Sequence, residues 1–235
     1  MSRLIAFIIG SGANVGQHTA AALKAKGYQV ALGSRKPAVE QTKKDGYFPV
    51  TVDGTSSESI KTAFAQINQE LGPPNVVVFN VATFTRPPVP EDPLTLSVES
   101  FTEQAAVGLS VFAAAQEAVA GFRSAGMHKD TLRTFIVTGN PLPFVPVDRG
   151  MWTPLSVQKL IEWRLVALFA ASYAKEGIRF YFATAVSETG GILEPLSQFF
   201  TSGPQHAEVY TDLATRADYA DWDYRFTLKG QQWKE

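Results

Sequence analysis

The stretch whose residue types and spacing point most directly to chemistry acts through its backbone: Gly10-Ser11-Gly12-Ala13-Asn14-Val15-Gly16. It follows a short apolar run, Leu4 to Ile9, and opens a helix-like stretch from Gln17 to Lys26. A strand that passes through a glycine-rich turn into a helix aims unpaired N–H groups and the positive end of a helix dipole at one point, which suits a phosphate. In that reading Gly10 makes the tight turn, Gly12 lets the backbone approach a pyrophosphate, and Gly16 lets the helix lie close on the strand. The same pattern also occurs as a plain structural turn, so the rest of the chain has to decide between them.

Composition narrows the chemistry. The 235 residues carry a net charge of −1, with 18% charged and 45% hydrophobic, which argues for one globular domain, 1–235, and against nucleic acid or an anionic membrane as partner. A small-molecule substrate is the better expectation. There is no cysteine, and His18, His128 and His206 lack ligand spacing, so no metal is expected. The N-terminal apolar run is short for a secretory core, and no apolar stretch reads as long enough to span a bilayer, which together predict a cytoplasmic protein.

The elements that must position the turn alternate along the chain. Strands are expected at Tyr28–Gly33, Phe48–Asp53, Asn75–Asn80, Thr134–Thr138, Ile178–Ala185 and around Tyr224–Leu228, with helices between them. Asn75 to Asn80 is continuously apolar between its two asparagines, as in a strand covered on both faces. The pattern predicts an α/β fold, a Rossmann-type doubly wound parallel sheet of seven strands, with a substrate-side segment at about 186–222. The helix from Leu155 to Ala174 is apolar around much of its circumference, so it is either buried within its own domain or covered by a partner subunit.

Over nearly its whole length the chain resembles the short-chain dehydrogenase/reductase superfamily. Its first turn looks like that family's T-G-x-x-x-G-x-G fingerprint, with Gly10 and Gly16 in the outer positions, Val15 between, and Asn14 where the middle glycine belongs. Asparagine tolerates positive φ best after glycine, so the turn is expected to survive, with the Asn14 amide turned to the cofactor. Ser34 and Arg35, just beyond the second strand, match the site that binds the adenosine 2′-phosphate, and no acid stands there. The resemblance therefore implies NADP(H) over NAD(H). Asp53-Gly54 resembles the adenine-binding aspartate; its alternative is a turn or helix-cap residue. Asn80-Val81-Ala82-Thr83 aligns with the N-N-A-G signature and keeps only its first asparagine and its alanine, and Thr138 closes the fifth strand beside the cofactor.

At the catalytic positions the resemblance breaks. The family's serine aligns with Asn140, its tyrosine with Leu155 and its asparagine with Gly108, while Lys159 is kept. The nearest look is to a divergent, mainly fungal set that also lacks the tyrosine. The resemblance implies that Lys159 holds the nicotinamide ribose; the alternative is a helix-end lysine whose charge stays in water. Asn140 can donate a hydrogen bond to a carbonyl oxygen but cannot release a proton. Ser156 and Glu162 flank Lys159 by three residues and share its helix face. Either can act on substrate, or Ser156 satisfies backbone donors and Glu162 pairs with Lys159. Phe84, Leu142, Phe144, Trp152 and the chain after Val186 are expected to wall an apolar pocket. Three functions stay open: an NADP(H)-dependent reductase of an imine, iminium or conjugated substrate; a non-redox cyclase or isomerase in a biosynthetic pathway; and a catalytically inactive NADPH-binding protein. A homodimer or homotetramer is expected.

Overall fold

The computed structural model describes residues 3–146 and 150–234. Among these, seven parallel strands form one sheet in the order β3-β2-β1-β4-β5-β6-β7. They are β1 (Ile5–Ile9), β2 (Gln29–Ser34), β3 (Phe48–Thr51), β4 (Val76–Phe79), β5 (Arg133–Thr138), β6 (Ile178–Val186) and β7 (Asp223–Thr227). The order reverses between β1 and β4, whose registers pair Ile9 with both Gly33 of β2 and Phe79 of β4. That reversal opens a crevice beyond the carboxyl ends of the strands, the usual place for a ligand in such sheets. Pro49 sits in β3, an edge strand, where its missing N–H costs no ladder bond.

Alternation along the strands builds two cores. Ile5, Phe7 and Ile9 face the layer holding α3 (Ser57–Glu70), α4 (Val98–Phe122) and α5 (Thr153–Tyr173). Ala6 and Ile8 face the layer holding α1 (Val15–Ala25) and α6 (Gly203–Thr215), with the short α2 (Val39–Lys44) near the β3 edge. Strands covered on both faces must be apolar throughout, and all nine residues of β6 are buried. Serines start two helices: Ser56 accepts from the Ser59 N–H and Ser97 from the Ser100 N–H, each at 3.2 Å.

One expectation needs correction. By composition α4 is long and apolar enough to cross a membrane, with a mean hydropathy of 1.4, against the reading that no stretch is. Its hydrophobicity serves packing instead, since Val111, Ala114, Ala118 and Phe122 lie in the core between α3 and α5. The apolar circumference of α5 is divided between core and surface. Its buried face includes Gln158, Lys159 and Glu162, while Leu160 and Leu168 are each 47% exposed.

His206, in α6, is buried among Phe199, Tyr210 and Phe226. Its Nδ1 lies 2.9 Å from the Ser202 carbonyl, which can only accept, so the ring proton sits on Nδ1. Nε2 is left as a buried acceptor without a partner among the described residues. Burial pulls the imidazole from its ordinary 6.5 down to about 4. The folded state therefore resists a proton that the unfolded chain accepts, so this contribution is fully present above about pH 6.5 and is lost as pH falls toward 4. Denaturant unfolding should lose up to about 3 kcal/mol across that window, with most of the loss absent in His206→Gln. Parallel pH profiles for the two proteins would contradict the assignment.

Candidate dinucleotide and substrate site

The glycine turn lies at the crevice between β1 and β4. Gly10 has φ +94°, and a Cβ there would collide with the carbonyl of Asn80. The Asn80 side chain in turn donates to Gly10 O at 2.7 Å, so the ends of β1 and β4 are tied together. A Cβ on Gly16 would lie 2.7 Å from Gly10 O and Ser11 Cα, which is why the helix can start so close to the turn. Ser11 donates its N–H to Gly33 O at 3.0 Å, fixing the turn on β2. Gly12 is different: a Cβ there would meet nothing within 4 Å, so its backbone faces open space.

Asn14 departs from expectation. Its φ is −79°, so asparagine's tolerance of positive φ is not used. Its amide does not turn to the crevice either: Nδ2 donates to Phe199 O and Oδ1 accepts from Gly203 N–H, both at 2.7 Å. Consequently, among the described residues no side chain caps α1, and no acid lies in its first turn, whereas α3 and α4 are capped by serines and carry Glu58 and Glu99 there. The start of α1 thus keeps the electrostatics that favour an anion.

Further along the crevice, Arg35 is exposed beyond β2. Asp53 takes the turn role: its Oδ1 accepts from the Thr55 N–H at 3.0 Å and the Thr55 hydroxyl at 2.8 Å. Those two donors, and then the charge of Arg35, hold its carboxyl below the usual range. A Cβ on Gly54 would lie 2.5 Å from Val81, so the segments that follow β3 and β4 meet there, with Ala82 exposed beside them.

The end of β5 and the buried face of α5 carry a polar chain. Lys159, 3% exposed, donates to Thr138 O at 3.0 Å and to Glu162 Oε2 at 2.7 Å. Gln158 donates to Glu162 Oε1 at 2.7 Å and accepts from Gln104 of α4. Gln104 closes the chain on the loop after β4, donating to Thr83 O and accepting from the Thr85 N–H. Burial pushes the Glu162 carboxyl up, against the pull of the Lys159 ammonium and the Gln158 amide. The alternative of a solvated lysine is thereby corrected, and the Glu162 pairing alternative is realised. Thr138 is occupied on both sides, since its hydroxyl accepts from Tyr210 OH at 3.0 Å. Asn140 Oδ1 accepts from the Leu142 N–H at 3.1 Å, turning the loop after β5. Ser156 Oγ is buried with no partner among the described residues, so it does not satisfy backbone donors as the simpler reading expected.

Beyond the ends of β6 and β7 lies an open cavity of about 970 Å³, walled by Phe144, the 186–194 segment, Gln198, Arg225 and Trp233. The Arg225 guanidinium sits 3.6 Å over the Phe144 ring and 2.8 Å from Asp223. Phe84 and Trp152 instead stack on each other at 5.1 Å, outside that lining.

Residues 10–137 match the family described as enoyl-(acyl carrier protein) reductase. A short chain dehydrogenase/reductase, dmxR12, of Cryptosporiopsis sp. (strain 8999) is 31% identical over 241 residues, covering 98% of this chain and 94% of that one. This chain is a short-chain dehydrogenase/reductase. Solved structures share the fold: one from Mycobacterium marinum at TM-score 0.77 and 19% identity, covering 97% and 95% of the two chains, and one from Serratia marcescens at 0.76 and 19%, covering 96% of each. A metagenomic short-chain oxidoreductase in complex with NADP superposes at 0.73 with 18% identity, covering 97% and 98%.

Within this short-chain dehydrogenase/reductase, Gln104 and Gln158 are the site-proximal residues that the sequence reading missed. A signal existed for the helix contact that brings them together: Gly108, where a Cβ would lie 2.8 Å from Gln158 O and 3.1 Å from Ile161 Cβ. No larger side chain fits there without parting α4 from α5. Removing one member of a buried ion pair strands the other, which typically costs about 3–5 kcal/mol, whereas replacing both with apolar groups is often neutral. Lys159→Met should therefore lower the unfolding free energy by roughly that amount, and Lys159→Met with Glu162→Leu should recover most of it. A loss below about 1 kcal/mol, the range of exposed pairs, would mean that the pair is solvated.

Proposed function

We propose that this protein is an NADP(H)-binding oxidoreductase whose active site works without the tyrosine acid of its family. The observation that carries the reading is the start of α1, an uncapped helix end beside a glycine whose backbone faces open space. The diphosphate would lie over Gly12 and the first amides of α1, Asn14 to Gly16, with Ser11 and Asn80 holding the turn. Ser34 and Arg35 would receive the 2′-phosphate, an Arg being suited to bidentate phosphate contact. Asp53, Gly54, Val81 and Ala82 would border the adenine. The NADP complex of the metagenomic relative supports this choice for that protein and, by fold, suggests it here.

When bound, NADPH supplies a hydride. Leu155 supplies no proton, and the Asn140 amide N–H remains a donor that can orient a substrate oxygen or nitrogen. Lys159 has one N–H beyond its two bonds, and the end of β5 is where that donor would meet a ribose hydroxyl. The substrate class that fits needs no acid from the protein: an iminium ion, or a conjugated alkene protonated by solvent. A second reading, a non-redox cyclase or isomerase, is favoured by the pairing of Lys159 with Glu162, which withdraws the one retained catalytic residue from solvent. We place the protein in the cytoplasm and assign a small-molecule substrate.

NADPH should raise the melting temperature more than NADH does, in proportion to RT ln(1 + [L]/Kd). Gly12→Ala, which meets no neighbour, should leave the unliganded melting temperature unchanged yet weaken NADPH binding, and Arg35→Asp should erase the cofactor preference. Simple ketones should turn over about 10²–10⁴-fold below rates supported by a general acid. Equal shifts from both cofactors, or rapid ketone reduction by the unmodified protein, would contradict the proposal.

The outer faces of α4 and α5 suggest a homodimer. Leu109 and Phe112 are 58% and 46% exposed, and Leu160 and Leu168 present a matching apolar row on α5. A pair of such faces should bury more than about 1,000 Å² in total. Light scattering at micromolar concentration should report at least a dimer, and Leu160→Glu with Phe112→Glu should report a monomer; a monomeric parent protein would refute this.

A further inference from the structure

The substitution of asparagine for glycine at position 14 has a partner elsewhere in the fold. The Asn14 side chain reaches residues 185 and 189 positions away, Phe199 in the 3₁₀ segment Leu196–Thr201 and Gly203 at the start of α6. Phe199 O also accepts from the Ser202 hydroxyl at 2.6 Å, and Ser202 O faces both His206 N and Nδ1. Gly203 is shaped for the contact: a Cβ there would lie 2.8 Å from Asn14 O and Oδ1 and would press on His18 Nδ1. His18 Nδ1 itself lies 2.8 Å from Asn14 O. One asparagine therefore belongs to two structures, its backbone to the glycine turn and its amide to the segment that begins α6.

That segment is continuous with the cavity. Glu194 and Gln198 line it, and Phe199 follows directly. The opposite walls are locked by aromatic packing: Phe144 lies under Arg225, and the Trp233 ring fills the space where a Cβ of Gly190 would go. The 194–198 wall is fastened at its far end by two hydrogen bonds to Asn14.

We infer that Asn14 is a positioning residue: it fixes the wall of the substrate-side cavity to the glycine turn, so that the cavity is already formed before any dinucleotide binds. A glycine at position 14 offers neither bond, and the wall then keeps its own turns and the packing of Phe199 against the core. The inference rests on the proposed dinucleotide site only for calling the cavity substrate-side; the fastening itself does not need the cofactor.

Hydrogen–deuterium exchange of peptides covering 196–203 tests this in the full chain. In the wild type these amides should exchange slowly, with little change on adding saturating NADPH. In Asn14→Gly they should exchange about tenfold faster or more, as expected for losing two partly buried hydrogen bonds, while Val209 to Leu213 in α6 stay protected. Asn14→Asp, which keeps the acceptor for Gly203 N–H and loses the donor to Phe199, should fall between the two. Gly203→Ala loosens the same contact from the other side and serves if Asn14→Gly does not fold. A wild-type segment that is protected only once NADPH is added, or variant segments as slow as the wild type, overturns the inference. NADPH binding is read separately by thermal shift; its absence in the wild type refutes the dinucleotide site and leaves the exchange comparison intact.

Discussion

The buried pair of Lys159 and Glu162 is the constraint around which this region, at the end of β5 and on the inner face of α5, is arranged. Two opposite charges 2.7 Å apart, almost fully removed from water, are tolerated only when their remaining hydrogen-bonding capacity is met. Here most of it is met, by Thr138 O on the amine and by Gln158 on the carboxylate, with Gln158 held by Gln104 and one N–H of the amine left over. Each link ties a different element: β5 to α5, α5 to α4, and α4 to the loop after β4. The close approach of the two helices at Gly108 is what lets the chain of side chains close. A tyrosine acid is not needed to account for the lysine, because the lysine has a structural partner one helical turn away.

At the other side of the crevice an asparagine has a comparable double task. The glycines make the turn: Gly10 through positive φ, Gly16 through contact with the turn's own backbone, and Gly12 by leaving its face open. Asn14 adds the connection to α6 that a glycine cannot make, and because its amide is spent there, the first turn of α1 stays uncapped toward the crevice. The same side chain thus leaves the start of α1 without a cap and ties the glycine turn to the start of α6.

The fold was legible because its signals are local and repeated. Continuously apolar strands such as Val76–Phe79, the alternation of strands with helices, and glycines at a strand-to-helix turn all point to the same sheet. The site was legible only where a single residue type dictates geometry, as at Gly10, or where a residue's own neighbours complete its bonding, as with the Asp53 turn. What could not be read depends on contacts between segments far apart in sequence. Asn14 looked like a residue chosen for positive φ because its partners lie nearly two hundred positions away, and Gln104 and Gln158 are 54 positions apart. Lys159 and Glu162, three apart on one helix, suggested a pair, but burial of that pair is set by β5 and α4.

The central claim is that the retained lysine belongs to a buried pair within a site that still accepts a dinucleotide. A crystal structure of the NADPH complex tests both halves at once. The account predicts the diphosphate over Gly12 and the start of α1, the 2′-phosphate beside Arg35, and the Lys159 amine still within hydrogen-bonding distance of Glu162. A crevice that stays empty at saturating NADPH, or a Lys159 that leaves Glu162 to bind the ribose, would contradict it.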